Sequence, residues 1–230
     1  MASFRRFWIR YWKTDRSLSG LLIALIIFEF VLPSVAADSV RPTILSDGFF
    51  SLLFVCGIAA AASERPLVFC LVATATAGAL IIRWLDHFGN VDMSSWNAAA
   101  DIIGLSSFAL VVLGKVLHRG TVTKYRIQGA VAVYLLLGFI WANAYEWTAL
   151  VHPHAFNGAS EAHSSSWIYF SFVTLTTVGY GDITPVHSTA RSLANAEALT
   201  GQLYLAILIS RLVALEIAAR RDDGDRPAGK

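Results

Sequence analysis

The chain has 230 residues, 56% of them hydrophobic and 15% charged, with a mean hydropathy of +0.57. That balance excludes an ordinary soluble domain and points to a protein built for the bilayer. The formal net charge of +2 says little, because what matters here is where the charges sit.

Residues 1–17 read as an amphipathic interfacial helix. Phe4, Phe7, Trp8, Tyr11 and Trp12 share one face at helical spacing, and Arg5, Arg6, Arg10 and Lys13 share the other. Such a helix lies flat at the headgroups, aromatics down and bases out. A spanning helix needs about 20 mostly apolar residues. Six stretches meet or approach that: 18–37, 46–62, 67–87, 96–118, 126–149 and 187–219. The first lacks a convincing cleavage pattern, so no removable leader is expected. Cys56 and Cys70 fall inside apolar stretches and read as small hydrophobes, not as a disulfide or a metal site.

Basic residues set the expected orientation. Arg5, Arg6, Arg10, Lys13 and Arg16 precede the first span, and Arg65 lies between the second and third. Lys115, Arg119, Lys124 and Arg126 cluster between the fourth and fifth, and Arg220, Arg221, Arg226 and Lys230 follow the sixth. The other side holds Arg41, Arg83 and Arg191. The positive-inside rule then places both termini in the cytoplasm after six crossings.

The first four spans, 18–118, read as a front domain. Arg83 and Asp101 lie at similar depths, with Glu29 somewhat deeper, and an unpaired charge in a bilayer is costly. A structural ion pair among the three is expected. The fourth span carries one cation, Lys115, and one anion, Asp101. Moving one charge through the membrane field is worth about 2.3 kcal/mol per 100 mV, and steep gating needs three or four per subunit. This front domain is therefore expected to give weak or no voltage gating. A short linker, 119–125, leads to a second domain, 126–219, and residues 220–230 form a short tail.

Between the last two spans, 166–176 is apolar but only about 11 residues long, too short to cross. It suits a re-entrant helix surrounded by protein or water. Thr177-Val178-Gly179-Tyr180-Gly181-Asp182 follows directly. The glycines permit left-handed backbone angles, so successive carbonyls can turn to one side. Thr177 offers a hydroxyl as well as a carbonyl.

These six consecutive residues, set between two apolar spans, resemble the selectivity filter of the potassium channel superfamily. The resemblance covers roughly the last 95 residues. It implies an all-α integral membrane fold, with six transmembrane helices plus a re-entrant pore helix and filter loop, assembled as a voltage-gated-channel-like homotetramer. The implied function is passive, potassium-selective conduction in the plasma membrane, with no reaction catalysed. The implied ligands for K+ are the carbonyls of Thr177, Val178, Gly179 and Tyr180 and the Thr177 hydroxyl. No organic cofactor, nucleic acid or soluble substrate is expected; the partners are the chain's own copies and lipid.

Gly181, Asp182 and Glu146 are expected to support the filter. Some family members keep a carboxyl on the pore helix, bonded to the filter-end Asp; Val173 cannot make that bond. Gly201 on the last span reads either as a hinge or as a site of close packing. Glu197, one turn earlier, either reaches the filter base and cavity or packs as a hydrogen-bonded carboxyl against the pore helix. Arg211, with Glu216, belongs to a gate if it lines a bundle crossing. His152, His154 and His163 in the turret could bind zinc or report external acidity. About ten residues after the last span are too few for a nucleotide- or calcium-binding domain. Two alternatives stay open: a weakly selective cation channel on the same scaffold, and a non-conducting modulatory subunit. The potassium-uptake transporters usually carry four unlike filter loops in one chain, a pattern absent here.

Overall fold

A computed structural model describes residues 16–28, 42–61, 66–88, 93–117, 123–158 and 164–224. The described chain is all but entirely helical: α1 (Arg16–Ile26), α2 (Pro42–Ala61), α3 (Pro66–Phe88), α4 (Ser94–Leu117), α5 (Lys124–Val151), α6 (Ser164–Leu175) and α7 (Ser188–Gly224). Two short strands, β1 (Phe156–Asn157) and β2 (Thr184–Pro185), pair antiparallel, with Phe156 opposite Pro185 and Asn157 opposite Thr184.

The helices follow the apolar runs to within a few residues. α2 and α3 open on Pro42 and Pro66, each at a first helical position, where a missing N–H costs nothing. Thr123 caps α5, its side chain accepting from the Arg126 amide, so the helix starts inside the expected linker. α7 runs to Gly224, five residues past its expected end, through the strong helix formers of Ala218-Ala219-Arg220-Arg221. The expected interfacial helix falls, up to residue 15, outside the described residues, and so does 29–37 of the first expected span.

Among the described residues, four helical stretches are long and apolar enough to cross a bilayer: Pro66–Leu85, Ser94–Leu117, Lys124–Val151 and Ser188–Ala214. The apolar part of α2 is the shorter Gly48–Ile58. One core joins the front helices to α5. α4 packs on α3 and α5, α1 lies against α5, and α2 contacts α3 and α4. At its centre the rings of Phe28, Phe50 and Phe139 meet, with centroids 5.6–6.2 Å apart. Edge-to-face and tilted pairs of this kind add about 0.5–1.5 kcal/mol beyond burial.

A second core, of Tyr145, Phe156, Trp167, Phe170 and Ile183, sits where α5, α6 and the strand pair converge. It fixes both ends of the segment between α6 and α7. α7 differs from every other long helix. Only 11% of its apolar window is buried, against 56% for α5. Leu199, Leu203, Ile207 and Ile209 all lie exposed along it.

Candidate functional site

The loop after α6 is shaped by the end of that helix. The amides of Val178 and Gly179 both turn back to the Val173 carbonyl, at 2.9 and 3.3 Å, and the Thr177 amide reaches the Thr174 carbonyl at 2.9 Å. Across a trans peptide the carbonyl of one residue opposes the N–H of the next. With the amides of 178 and 179 facing α6, the carbonyls of Thr177 and Val178 point away from it. Positive φ recurs at every second position: Thr177 at 60°, Gly179 at 60° and Gly181 at 81°. In an ordinary strand successive carbonyls alternate sides; reversing the hand at alternate residues brings them to one side. Gly179 and Gly181 adopt these angles without a steric cost. Thr177 is β-branched, and a left-handed backbone there stores about 1–3 kcal/mol of strain. All residues from Thr176 to Asp182 are exposed on the single chain, including Val178 and Tyr180.

The far end of the loop is braced from α6 and the strand pair. The Tyr169 hydroxyl donates to Asp182, and the Tyr169 and Tyr180 rings lie parallel with centroids 6.5 Å apart. The Tyr169 hydrogen bond, the largest influence, outweighs the opposing desolvation and, with smaller contributions from the Ile183 and Asp182 amides, holds the Asp182 carboxyl below its ordinary range. Gly158 brings the connecting segment onto the loop; a Cβ there would meet the Asp182 carbonyl oxygen at 1.9 Å. The Val186 amide donates to the Ala155 carbonyl at 2.9 Å and closes the strand pair.

Behind the loop, α7 meets α5 and α6 around one carboxylate. Glu197 is fully buried. It accepts from the Ser171 hydroxyl on α6 at 2.5 Å and from the Tyr145 hydroxyl on α5. The Ser171 oxygen also lies 2.7 Å from the Gly138 carbonyl of α5, so its single proton is shared between the two acceptors. One turn further on, Gly201 faces the end of α6, where a Cβ would lie 2.3 Å from the Leu175 carbonyl oxygen. The Tyr134 hydroxyl donates to that same carbonyl at 3.3 Å. Gln202 follows, its Nε2 3.3 Å from the Thr177 hydroxyl. The Tyr204 hydroxyl donates to the Ala130 carbonyl of α5 at 2.7 Å. Glu197 thus reaches α6 by way of Ser171, and the close approach at Gly201 gives that glycine a packing reason.

Arg83 on α3 forms a buried salt bridge with Asp101 on α4, and its guanidinium lies 4.6 Å from the centre of the Phe50 ring. Glu29 falls outside the described residues. Glu146 is half-buried near the end of α5. Arg211 donates to the Leu117 carbonyl at the end of α4, and Lys115 donates to the Ala60 carbonyl of α2 at 3.1 Å. The Glu216 side chain and His163 fall outside the described residues. His154 is exposed at positive φ. His152 stacks on His187, centroids 4.4 Å apart. His187 accepts the Thr189 amide on Nδ1 at 3.3 Å. Among the described residues no group of three or more His, Cys, Asp or Glu side chains could hold a metal ion.

Ser171, Tyr145, Gln202, Tyr169 and Gly158 are the residues that sequence reasoning did not single out. The signal for the first three was present as polar side chains inside otherwise apolar helices, where a partner is normally required. Gly158 and Tyr169 left none, since their roles depend on a segment more than ten residues away in the chain.

Residues 129–216 match the family model described as "Ion channel". The chain is 36% identical over 86 residues to "Two-pore potassium channel 1" of Arabidopsis thaliana, covering 37% of this chain and 22% of that protein. It is 49% identical over 45 residues to "Two-pore potassium channel 4" of the same plant, covering 20% of this chain and 16% of that one. It is 46% identical over 46 residues to "Protein LctB" of Bacillus caldotenax, covering 20% of this chain and 34% of that one. The matched segments thus span between 16% and 34% of these relatives' own length. No solved structure matches the chain.

Proposed function

We propose that this integral membrane protein, whose residues 129–216 belong to the potassium channel superfamily, conducts K+ passively through a filter made by four copies of the loop 177–182. The observation that carries the reading is the alternation of backbone hand at Thr177, Gly179 and Gly181, with the amides of Val178 and Gly179 turned back onto α6. A loop so wound offers stacked carbonyls of Thr177, Val178, Gly179 and Tyr180, and the Thr177 hydroxyl, in place of an ion's water shell. The C-terminal end of α6 points toward the base of the loop and adds the negative end of a helix dipole there. Asp182, braced by Tyr169, gives a carboxylate at the mouth, and Glu146 supports it from α5.

One loop per chain cannot surround an ion, so closure needs a ring of copies. The exposed face of α7, with exposed Val178 and Tyr180, suits packing against neighbouring copies around a homotetramer axis. The basic residues favour six crossings with both termini in the cytoplasm of the plasma membrane. The front domain, 18–118, serves as a scaffold with weak or no voltage gating, since α4 carries Lys115 as its one cation.

Purified protein in planar bilayers tests this. The reversal potential between K+ and Na+ solutions should fall close to the K+ equilibrium value. A reversal potential near zero would instead give the weakly selective cation channel. Absence of flux in liposomes containing this protein alone would give the modulatory subunit.

A further inference from the structure

Thr177 carries the side-chain oxygen at the α6 end of the loop, and something must hold that hydroxyl in place. A free threonine hydroxyl rotates, and its single proton competes with a cation for the direction of its lone pairs. Gln202 is the side chain that reaches it, with Nε2 3.3 Å from the Thr177 oxygen. An amide N–H pointed at the oxygen occupies one lone pair and leaves the other for an ion. The far pole of the same amide is a carbonyl oxygen, and Gln202 lies on the exposed side of α7.

The approach is built on rigid parts. Gly201, the preceding residue, sits so close to the Leu175 carbonyl that a Cβ would not fit. Glu197, one turn earlier, is tied to Ser171 and Tyr145. The backbone that bears Gln202 is therefore set against the end of α6, two residues before Thr177. A long polar side chain on a mobile helix would tell little; one keyed this closely to the loop is part of the site.

We propose that Gln202 completes the innermost cation site of the filter: its amide nitrogen orients the Thr177 hydroxyl, and its carbonyl oxygen replaces a water of the arriving ion. The ligand class is a large, weakly hydrated cation of about the size of K+. Gln202 is a positioning residue toward Thr177, and this inference rests on the conduction reading above.

Ba2+ is the probe, because it is hard, oxygen-seeking and close to K+ in size. Full-length protein, wild type and Gln202→Leu, is purified and reconstituted. Ba2+ is added at the face bearing the basic end of α7, and its binding to the tetramer in detergent is measured by calorimetry. Losing the amide should weaken Ba2+ block and Ba2+ binding about tenfold, the scale of one hydrogen bond. Gln202→Glu, which keeps an oxygen and adds charge, should tighten both. Should Gln202→Leu fail to assemble, Gln202→Met, of similar length and without the amide, is read in its place.

Ba2+ affinity within twofold of wild type in an assembled Gln202→Leu or Gln202→Met tetramer overturns the proposal. A wild-type tetramer that passes no current yet binds Ba2+ in a Gln202-dependent way fails the conduction reading and supports the site. A wild type that conducts selectively with Gln202-insensitive Ba2+ binding fails the site alone.

Discussion

The two halves of the chain bury an acidic side chain in different ways. In the front bundle Asp101 meets a guanidinium, that of Arg83, which itself lies against the Phe50 ring. In the C-terminal half Glu197 meets two hydroxyls, from Ser171 and Tyr145, each on a different helix. The first arrangement joins two neighbouring helices, α3 and α4. The second joins three: α5, the short helix α6 and α7. An ion pair neutralises charge, and a carboxylate held by hydroxyls sets geometry, because each hydrogen bond constrains direction as well as distance. The first contact holds two helices of the front half together; the second holds the end of α6, and the loop that follows it, in shape.

The largest separation between the halves should come from the loop itself. Gly179→Ala places a Cβ at φ 60°, at a cost of roughly 1–2 kcal/mol per copy for a left-handed residue. Nothing lies within 4 Å of that Cβ in the chain. The change should therefore act on backbone direction and not on packing. K+ flux into liposomes should vanish, while size-exclusion chromatography still shows the wild-type assembly. Selective current retained by the variant would remove the loop from the conduction path and dissolve the distinction between the halves.

Next in size is the front pair. Asp101→Asn removes the Asp101 charge from its pair with Arg83, in a site where both side chains are nearly inaccessible. Breaking a buried pair in this way costs about 3–5 kcal/mol. Thermal unfolding in detergent should show a large drop in stability, and the surviving channels should keep their K+/Na+ reversal potential. Arg83→Met combined with Asp101→Leu should recover much of the loss. A changed reversal potential in Asp101→Asn would mean that the front half shapes the filter after all.

Glu197→Gln should cost less stability and more function. A glutamine can accept from Tyr145 through its oxygen and donate to Ser171, whose proton then goes to the Gly138 carbonyl, so the loss should be about 1 kcal/mol, the scale of one weakened hydrogen bond. The expected readout is a lower single-channel conductance or shorter openings, with a smaller thermal shift than in Asp101→Asn. A stability loss equal to that of Asp101→Asn, with wild-type conduction, would make the two carboxylates equivalent and the contrast drawn above empty.

Much of this was legible in the residues. The apolar runs mark out the helices because a bilayer demands about 20 apolar residues and a helix satisfies its own backbone. The loop was legible because glycine alternation has few other uses in that setting. The partners of Glu197 were not, since Ser171 lies 26 positions and Tyr145 52 positions away. A sequence shows that a buried carboxyl needs donors without showing which helix supplies them. The strand pair from Phe156 to Pro185 was hidden for another reason: two residues are too short to display a period of two. The hinge and packing readings of Gly201 look alike in sequence, and only the Leu175 carbonyl beside it gives the packing reading a cause.

The smallest effect should lie at the mouth, where neither burial nor ion pairing operates. The Tyr169 hydroxyl is the main cause of the lowered Asp182 pKa. A carboxyl whose folded-state pKa lies below its unfolded value contributes stability that is complete above the unfolded value. That contribution is lost as pH falls through the folded value. Tyr169→Phe removes the largest cause, so the Asp182 pKa should rise toward the ordinary carboxylate range and the acid transition should move to higher pH. At neutral pH both proteins carry an ionised Asp182, so conduction and selectivity there should differ little. Asp182 is fully exposed on the single chain, and solvent screening keeps the effect modest. Current recorded while the Asp182 side is titrated from pH 7 to about pH 3 should fall earlier in Tyr169→Phe than in wild type. An unchanged or lower midpoint would show that the ring stacking of Tyr169 on Tyr180, and not its hydroxyl, braces the mouth. The mouth would then resemble the front half, held by packing, more than the hydrogen-bonded frame around Glu197.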